Sequence, residues 1–322
     1  MSHPSLPTGD SSSQFLSLGA TAPADALSIT RQEVPAFAMC PPLHLATDAP
    51  NNIWMREMSD EARRVDRPKA LRQFRELYNF LAARSLVYLV PSQPDLQDLT
   101  YVANLAVVLP HLEERPVVVS NFRSPPRRGE TQVGVDFFRQ LGLPFRVAPP
   151  YFEGEADLKY LRENIYIGAH GMRTSRSALE WFEQTYDMQV IPFEVDNEYL
   201  YHLDCSVFPI TGEHVLVCTE AAEAETLEAI EKHAEIIDVC VDDADSGMTN
   251  CVRIEDCVLC ASNLEELPRS HQDYGYEKRK VEDLSAICAL LNLTPVFFNL
   301  SEFLKSGAML SCMVMHLNRS IF

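Results

Sequence analysis

Residues 215–241 read VLVCTEAAEAETLEAIEKHAEIIDVCV. Two β-branched apolar runs, Val215–Cys218 and Ile236–Val241, flank a segment at 221–233 that puts Ala224, Leu227 and Ile230 on one stripe. A short apolar run, a 3.6-residue period and a second apolar run predict strand, helix, strand. The same alternation recurs along the chain. Further strands are expected at Leu86–Val90, Leu105–Leu109, Val117–Ser120, Ile165–Gly168, Val190–Phe193, Cys251–Leu259 and Val296–Phe298. Helices are expected at 131–141, stopped by Leu141-Gly142, and at 276–292, where Val281, Leu284, Cys288 and Leu291 share a face. The fold class is α/β, built from repeated strand–helix–strand units whose residue-level self-similarity is weak. No glycine-rich loop follows any strand, which argues against the dinucleotide-binding and P-loop folds.

Around this frame the bulk properties narrow the function. Residues 1–38 are rich in Ser, Ala, Pro and Thr, and are expected to be a disordered tail ahead of a single catalytic domain at 39–322. The chain carries 46 acidic and 27 basic residues, a formal net charge of -19, which argues against nucleic acid and anionic lipid as partners. No apolar run approaches the roughly 20 residues of a membrane span. Nine cysteines, an odd number, with no secretory signal, point to reduced thiols and a cytoplasmic location. Cys257-Val-Leu-Cys260 has metal-site spacing but lacks a second pair, and is read as part of a strand. No cofactor and no metal are expected; homo-oligomerisation is left open.

Three polar segments interrupt the alternation. Tyr151-Phe152-Glu153-Gly154-Glu155-Ala156-Asp157 is a carboxylate-dense turn. In Tyr201-His202-Leu203-Asp204-Cys205, strand periodicity would put His202 and Asp204 on one face. The third, Lys305-Ser306-Gly307-Ala308-Met309-Leu310-Ser311-Cys312, lies near the C-terminus.

Together with other segments these form an ordered series. Met39-Cys40-Pro41-Pro42-Leu43-His44 with Asn52-Ile53-Trp54-Met55 comes first, then Asp98-Leu99-Thr100-Tyr101-Val102-Ala103-Asn104. Asn121-Phe122-Arg123, Arg127-Arg128-Gly129-Glu130 and Arg173-Thr174 follow. Over roughly 39–318 the chain resembles the pentein superfamily of guanidino-group-modifying enzymes, and within it the arginine dihydrolases. That resemblance implies a five-bladed α/β propeller around a pseudo-fivefold axis, with the site at its centre and a small guanidino substrate such as arginine.

The resemblance also implies roles. Cys312 is the expected nucleophile, attacking the guanidinium carbon to give a covalent thiouronium. His202 protonates the departing ammonia and then activates water. Glu153 binds the guanidinium and orients His202. Asp98, Asp204 and Asn52 match polar positions at the substrate end, and Arg123 and Arg173 are expected to hold the α-carboxylate. Asn104 stands where the family's deiminases and dimethylargininases have Asp. An amide suits a neutral ureido group as well as a cation, so two hydrolytic steps are expected: arginine to ornithine, carbon dioxide and two ammonia. The rival readings are a one-step deiminase or dimethylargininase, an amidinotransferase, and a binding protein without turnover. Two departures from the family pattern stand out. Ala308 replaces a glycine and would restrict a position that tolerates positive φ; Ile53 replaces a proline beside Asn52.

Overall fold

The computed structural model describes residues 29–318. Its strands form five separate three-stranded sheets arranged as blades. The unit read from 215–241 is the core of one of them, and the others repeat it.

In the first blade, β1 (Ala36–Met39) runs parallel to β2 (Leu86–Leu89), with α1 (Ile53–Glu57) and α2 (Arg67–Ala82) between them. The second blade has β3 (Ala106–Val108), β4 (Val117–Val119), α3 (Glu130–Gln140) and β5 (Phe145–Val147). The third has β6 (Leu158–Arg162), β7 (Ile165–Gly171), α4 (Arg176–Tyr186) and β8 (Gln189–Val195). The fourth has β9 (Val207–Pro209), β10 (His214–Val217), α5 (Ala224–Glu231) and β11 (Glu235–Asp238). After α6 (Val241–Asp245), the fifth has β12 (Val252–Ile254), β13 (Cys257–Ala261), α7 (Tyr274–Leu290) and β14 (Thr294–Phe298). Beyond α8 (Ser301–Leu304), β15 (Met315–His316) returns to pair antiparallel with β1, so the last strand completes the first blade.

Each blade therefore has an antiparallel pair and, through a helical crossover, a parallel one. The middle strand lies between two others, and in β4 all three valines are buried. This is why such strands read as unbroken apolar runs. First strands of neighbouring blades touch one another, β15 against β3 and β6 against β9, which makes them the inner ring. Helices cover the outside. The apolar clusters span neighbouring blades: one joins Ala36, Ala38 and Val90 to Val117, Val119 and Phe138.

Several expectations change. Residues 29–38 are not all tail, because Ala36–Met39 is a fully buried strand at the heart of the first blade and Ile29–Arg31 is a 3-10 turn. The rest of the expected tail, 1–28, lies outside the described residues. The single strand expected at Cys251–Leu259 is a hairpin, broken where Glu255 takes a left-handed conformation (φ 53). Ile236–Val241 ends at Asp238, and Val241 starts α6. The expected strand around His202 and Asp204 is a 3-10 turn at Leu203–Cys205, so two-residue alternation does not set their directions. Cys257 and Cys260 lie in β13. No helix among the described residues is long and apolar enough to cross a membrane.

Candidate active site

Short 3-10 turns lead into four of the five inner strands: Val102–Asn104, Gly154–Ala156, Leu203–Cys205 and Ser311–Met313. The turn at Val102–Asn104 packs against those at Gly154–Ala156 and Ser311–Met313 near the axis. A 3-10 turn leaves backbone groups to be satisfied by side chains or by the next strand. Polar residues concentrated there face the centre of the ring.

Cys312 is the middle residue of the last turn and is 6% exposed. Its Sγ lies 3.7 Å from Asp204 Oδ2 and 3.6 Å from Asn250 Nδ2. Asp204 is fully buried and accepts a 2.6 Å bond from Ser311 Oγ, while Asn250 Oδ1 accepts from Ser311 N at 2.8 Å. Two side chains thus grip the turn that carries the thiol. Burial, with Asp204 adding to it, pushes the thiol up to about 12; Asn250, a backbone bond from Met309 and the charge of Lys159 pull the other way. A carboxylate beside a desolvated sulfur favours the neutral thiol. A thiolate at this position calls for an added cation.

His202 immediately precedes its turn, 3% exposed. Asp157 Oδ1 is 2.8 Å from Nδ1 and also accepts from Leu203 N at 3.3 Å, while its Oδ2 accepts from Thr174 Oγ1 at 2.6 Å. A carboxylate at Nδ1 fixes a proton there and leaves Nε2 as the working nitrogen. Asn104 Nδ2 stands 3.1 Å from Nε2, a donor facing the lone pair of the neutral ring. Glu153 was expected to orient His202, but its Oε2 is 3.6 Å from Nε2, and the close bond to the ring is the one from Asp157. Glu153 is fully buried, with Oε1 left without a hydrogen-bond partner. A buried acceptor in that condition costs about 1–3 kcal/mol until a donor arrives.

Arg173 bridges from the other side. Its Nη1 is 3.5 Å from Glu153 Oε2, its Nη2 donates to Asn51 O at 2.8 Å, and the guanidinium sits 5.1 Å over the Tyr201 ring. Asp98 is buried and accepts from Asn51 Nδ2 at 2.7 Å; burial raises its pKa against the pull of Arg127 and Arg173. Asn52 caps α1 by accepting from Met55 N at 2.9 Å and donates to Ser306 O at 2.8 Å. Ile53 is the first residue of that helix, where a proline is also favoured because the N–H has no intrahelical acceptor. Gly307, not Ala308, holds the left-handed conformation (φ 72), so the methyl group of Ala308 meets no such restriction.

Cys312, His202, Asn104, Asp98, Asn52 and Arg173 line one cleft, with Glu153 and Asp204 buried behind it. Arg123 is not among its walls. That side chain is exposed and donates to the carbonyls of Gly171 and Met172, while Arg127 lines the cleft instead. Arg127 is paired with Glu130 at 2.9 and 2.7 Å in a fork-to-carboxylate contact. Burial works against its charge, but Glu130, Asp98 and Glu153 hold it protonated. Asp157 and Arg127 stand in quoted segments but were given no role from the sequence, and Asn250 was not singled out. Asn250 carries a faint signal, since Met248-Thr249-Asn250 precedes β12 much as Val102-Ala103-Asn104 precedes β3. Among the described residues, no group of three or more His, Cys, Asp or Glu is arranged to hold a metal ion.

Known proteins resemble the chain over most of its described length. The bifunctional arginine dihydrolase/ornithine cyclodeaminase AgrE of Nostoc sp. is 26% identical over 291 residues, covering 88% of this chain and 38% of that protein. The chain thus spans well under half the length of AgrE. The N(G),N(G)-dimethylarginine dimethylaminohydrolase of Mycobacterium tuberculosis is 24% identical, over 88% of this chain and 85% of that protein. Among solved structures, the product-bound N-terminal domain of ArgZ, a cyanobacterial arginine dihydrolase, superposes with a TM-score of 0.76 at 24% identity, covering 88% of this chain and 97% of that one. The citrulline complex of DDAH from Pseudomonas aeruginosa gives 0.66 at 15% identity, over 87% and 98%. These likenesses establish the five-bladed pentein fold. A family model described as N,N dimethylarginine dimethylhydrolase, eukaryotic, matches residues 41–319, and the chain belongs to that family.

Proposed function

We propose that the protein is a cysteine hydrolase of the arginine guanidinium that carries out two successive hydrolyses. The observation that carries this reading is the Asn104 amide 3.1 Å from His202 Nε2. An ionised carboxylate there would suit a cation and repel the electron-rich oxygen of a ureido group. The amide offers both a donor and an acceptor, and tolerates either.

The arriving guanidinium supplies the positive charge that the thiol lacks. Its N–H groups meet the unpartnered Oε1 of Glu153 and the carboxylate of Asp204, and Arg127 or Arg173 meets the α-carboxylate. The Cys312 proton passes to His202 Nε2, and the resulting imidazolium is held by Asp157 at Nδ1. Sulfur adds to the guanidinium carbon. His202 returns the proton to the departing nitrogen, ammonia leaves, and an S-thiouronium remains. Neutral His202 then takes a proton from water as the oxygen adds to that carbon, and expulsion of sulfur gives citrulline. A second attack on the ureido carbon, with another water, yields ornithine, carbon dioxide and a second ammonia. The relatives support this chemistry: an ArgZ mutant has been solved covalently bound to a reaction intermediate, and an AgrE mutant in a binary complex with L-arginine.

The family model and the mycobacterial relative favour a second reading, one hydrolysis of dimethylarginine to citrulline and dimethylamine. Incubation with arginine and with dimethylarginine separates them. The two-step reading expects ornithine with two ammonia per arginine. It also expects Asn104→Asp to accumulate citrulline, with ornithine output down about tenfold or more. Equal citrulline release by both proteins would sink it.

A further inference from the structure

Cys312 and His202 line two chambers, not one. On the side away from Arg127 and Asp98 they border a second cavity walled by Trp54, Tyr199, Met309 and Asp245. Tyr199 is 36% exposed, so this chamber meets the surface there. The catalytic pair forms part of the partition between a polar, arginine-walled cleft and an aromatic, acidic one.

The side chains of the second chamber are committed in a particular way. Trp54 Nε1 donates to Tyr199 O at 3.0 Å, and the Tyr199 hydroxyl donates to Glu57 Oε1 at 2.6 Å. Their polar ends are used, and the rings stand 5.1 Å apart at 77°, forming a corner. Asp245 contributes the opposite kind of group: its Oδ1 is buried and without a hydrogen-bond partner. Glu57 and Glu198 stand near the mouth, where Arg56 lies 4.0 Å from Glu198, and Arg173 sits over the ring of Tyr201, which forms part of the wall. An unpartnered carboxylate oxygen beside two aromatic rings is a site for a small organic cation.

We propose that this chamber binds the nitrogen displaced at Cys312 as ammonium or a small alkylammonium ion, held by Asp245 and the rings of Trp54 and Tyr199. The assignment rests on the reading of Cys312 as the nucleophile that expels an amine. It gives the leaving amine, which His202 releases neutral and which takes up a further proton from solvent in the chamber, a way out that does not pass the amino-acid end of the bound substrate.

Binding can be read without turnover. The chain has two tryptophans, Trp54 and Trp181, and Trp181 belongs to a separate cluster with Phe182 and Tyr186. In Trp181→Phe protein, fluorescence from Trp54 is followed during titration with dimethylammonium chloride, with potassium chloride at equal ionic strength as reference. The expected result is a saturable change with dimethylammonium alone, and an apparent affinity reduced roughly tenfold or more by Asp245→Asn and also by Tyr199→Leu. A response no different from that to potassium, or unaltered affinity in both variants, overturns the assignment. Arginine turnover is measured on the same preparations. Binding without turnover would sink the hydrolase reading and keep the cation site; turnover without binding would sink the site alone.

Discussion

Cys312 illustrates how much a residue's chemistry depends on what surrounds it. It is one of nine free cysteines, and burial with Asp204 alongside pushes its thiol up to about 12. The isolated site is therefore set against its own nucleophile, and a guanidinium reverses the balance by placing a positive charge where Asp204 and Glu153 await one. A pH profile follows from the direction of that shift. Below pH 12 the thiolate fraction of the empty site should rise about tenfold per pH unit. Iodoacetamide labelling of Cys312, followed by peptide mass spectrometry, is expected to climb through pH 7–10 without levelling. A plateau between pH 7 and 9 would mean that the thiol is already ionised without substrate. The sequence pointed to Cys312 and His202 through their motifs, but not to Asp157 as the group on His202 Nδ1. Asp157 and Glu153 share one carboxylate-dense turn, and which reaches the ring depends on the 3-10 geometry at Gly154–Ala156.

At the scale of elements, the loop before the nucleophile turns on a single backbone conformation. Gly307 is left-handed at φ 72, and a Cβ there would come within 2.9 Å of Asn52 Oδ1. That oxygen caps α1, and the same side chain holds Ser306 O. Gly307→Ala should therefore cost about 2–3 kcal/mol, from the left-handed penalty and the disturbed cap together. Ala308→Gly should stay within about 1 kcal/mol, since Ala308 is outside the left-handed region. Urea unfolding of both variants checks the contrast; similar losses would refute it. The same reasoning explains what was legible in the sequence. Middle strands such as Val117–Val119 and Val215–Val217 were found because burial on both faces makes them apolar throughout. The inner strands β6, β9 and β15 went unread. β9 and β15 are short, and each of the three follows a turn whose polar residues serve the site rather than the core. Where function sets the side chains, hydrophobic periodicity stops reporting structure.

On the scale of the whole molecule, the question is what keeps five blades in a ring. β15 has only two residues, paired as Phe37 with His316 and Ala38 with Met315, too little ladder to close a sheet by itself. Side chains reinforce it. Glu155 accepts from His316 N at 3.0 Å and lies 2.6 Å from His316 Nδ1, tying β15 to the turn of the third blade. Asn318, fully buried, accepts from Ala36 N at 2.9 Å and donates to Val34 O at 2.8 Å, Gln32 O at 3.1 Å and Ile29 O at 3.3 Å. One amide thus fastens the end of the ring to its beginning, six residues beyond the nucleophile. Asn318→Ala would strand the Ala36 N–H and release three carbonyls. The expected cost is about 2–4 kcal/mol, because buried groups lose partners rather than exchanging them for water. Closure completes the first blade and also holds the Cys312 turn, so the loss should be global. In urea, circular dichroism should show a single transition at a lower midpoint with an unchanged m-value. An unchanged midpoint would place closure elsewhere, in the apolar packing that joins the blades.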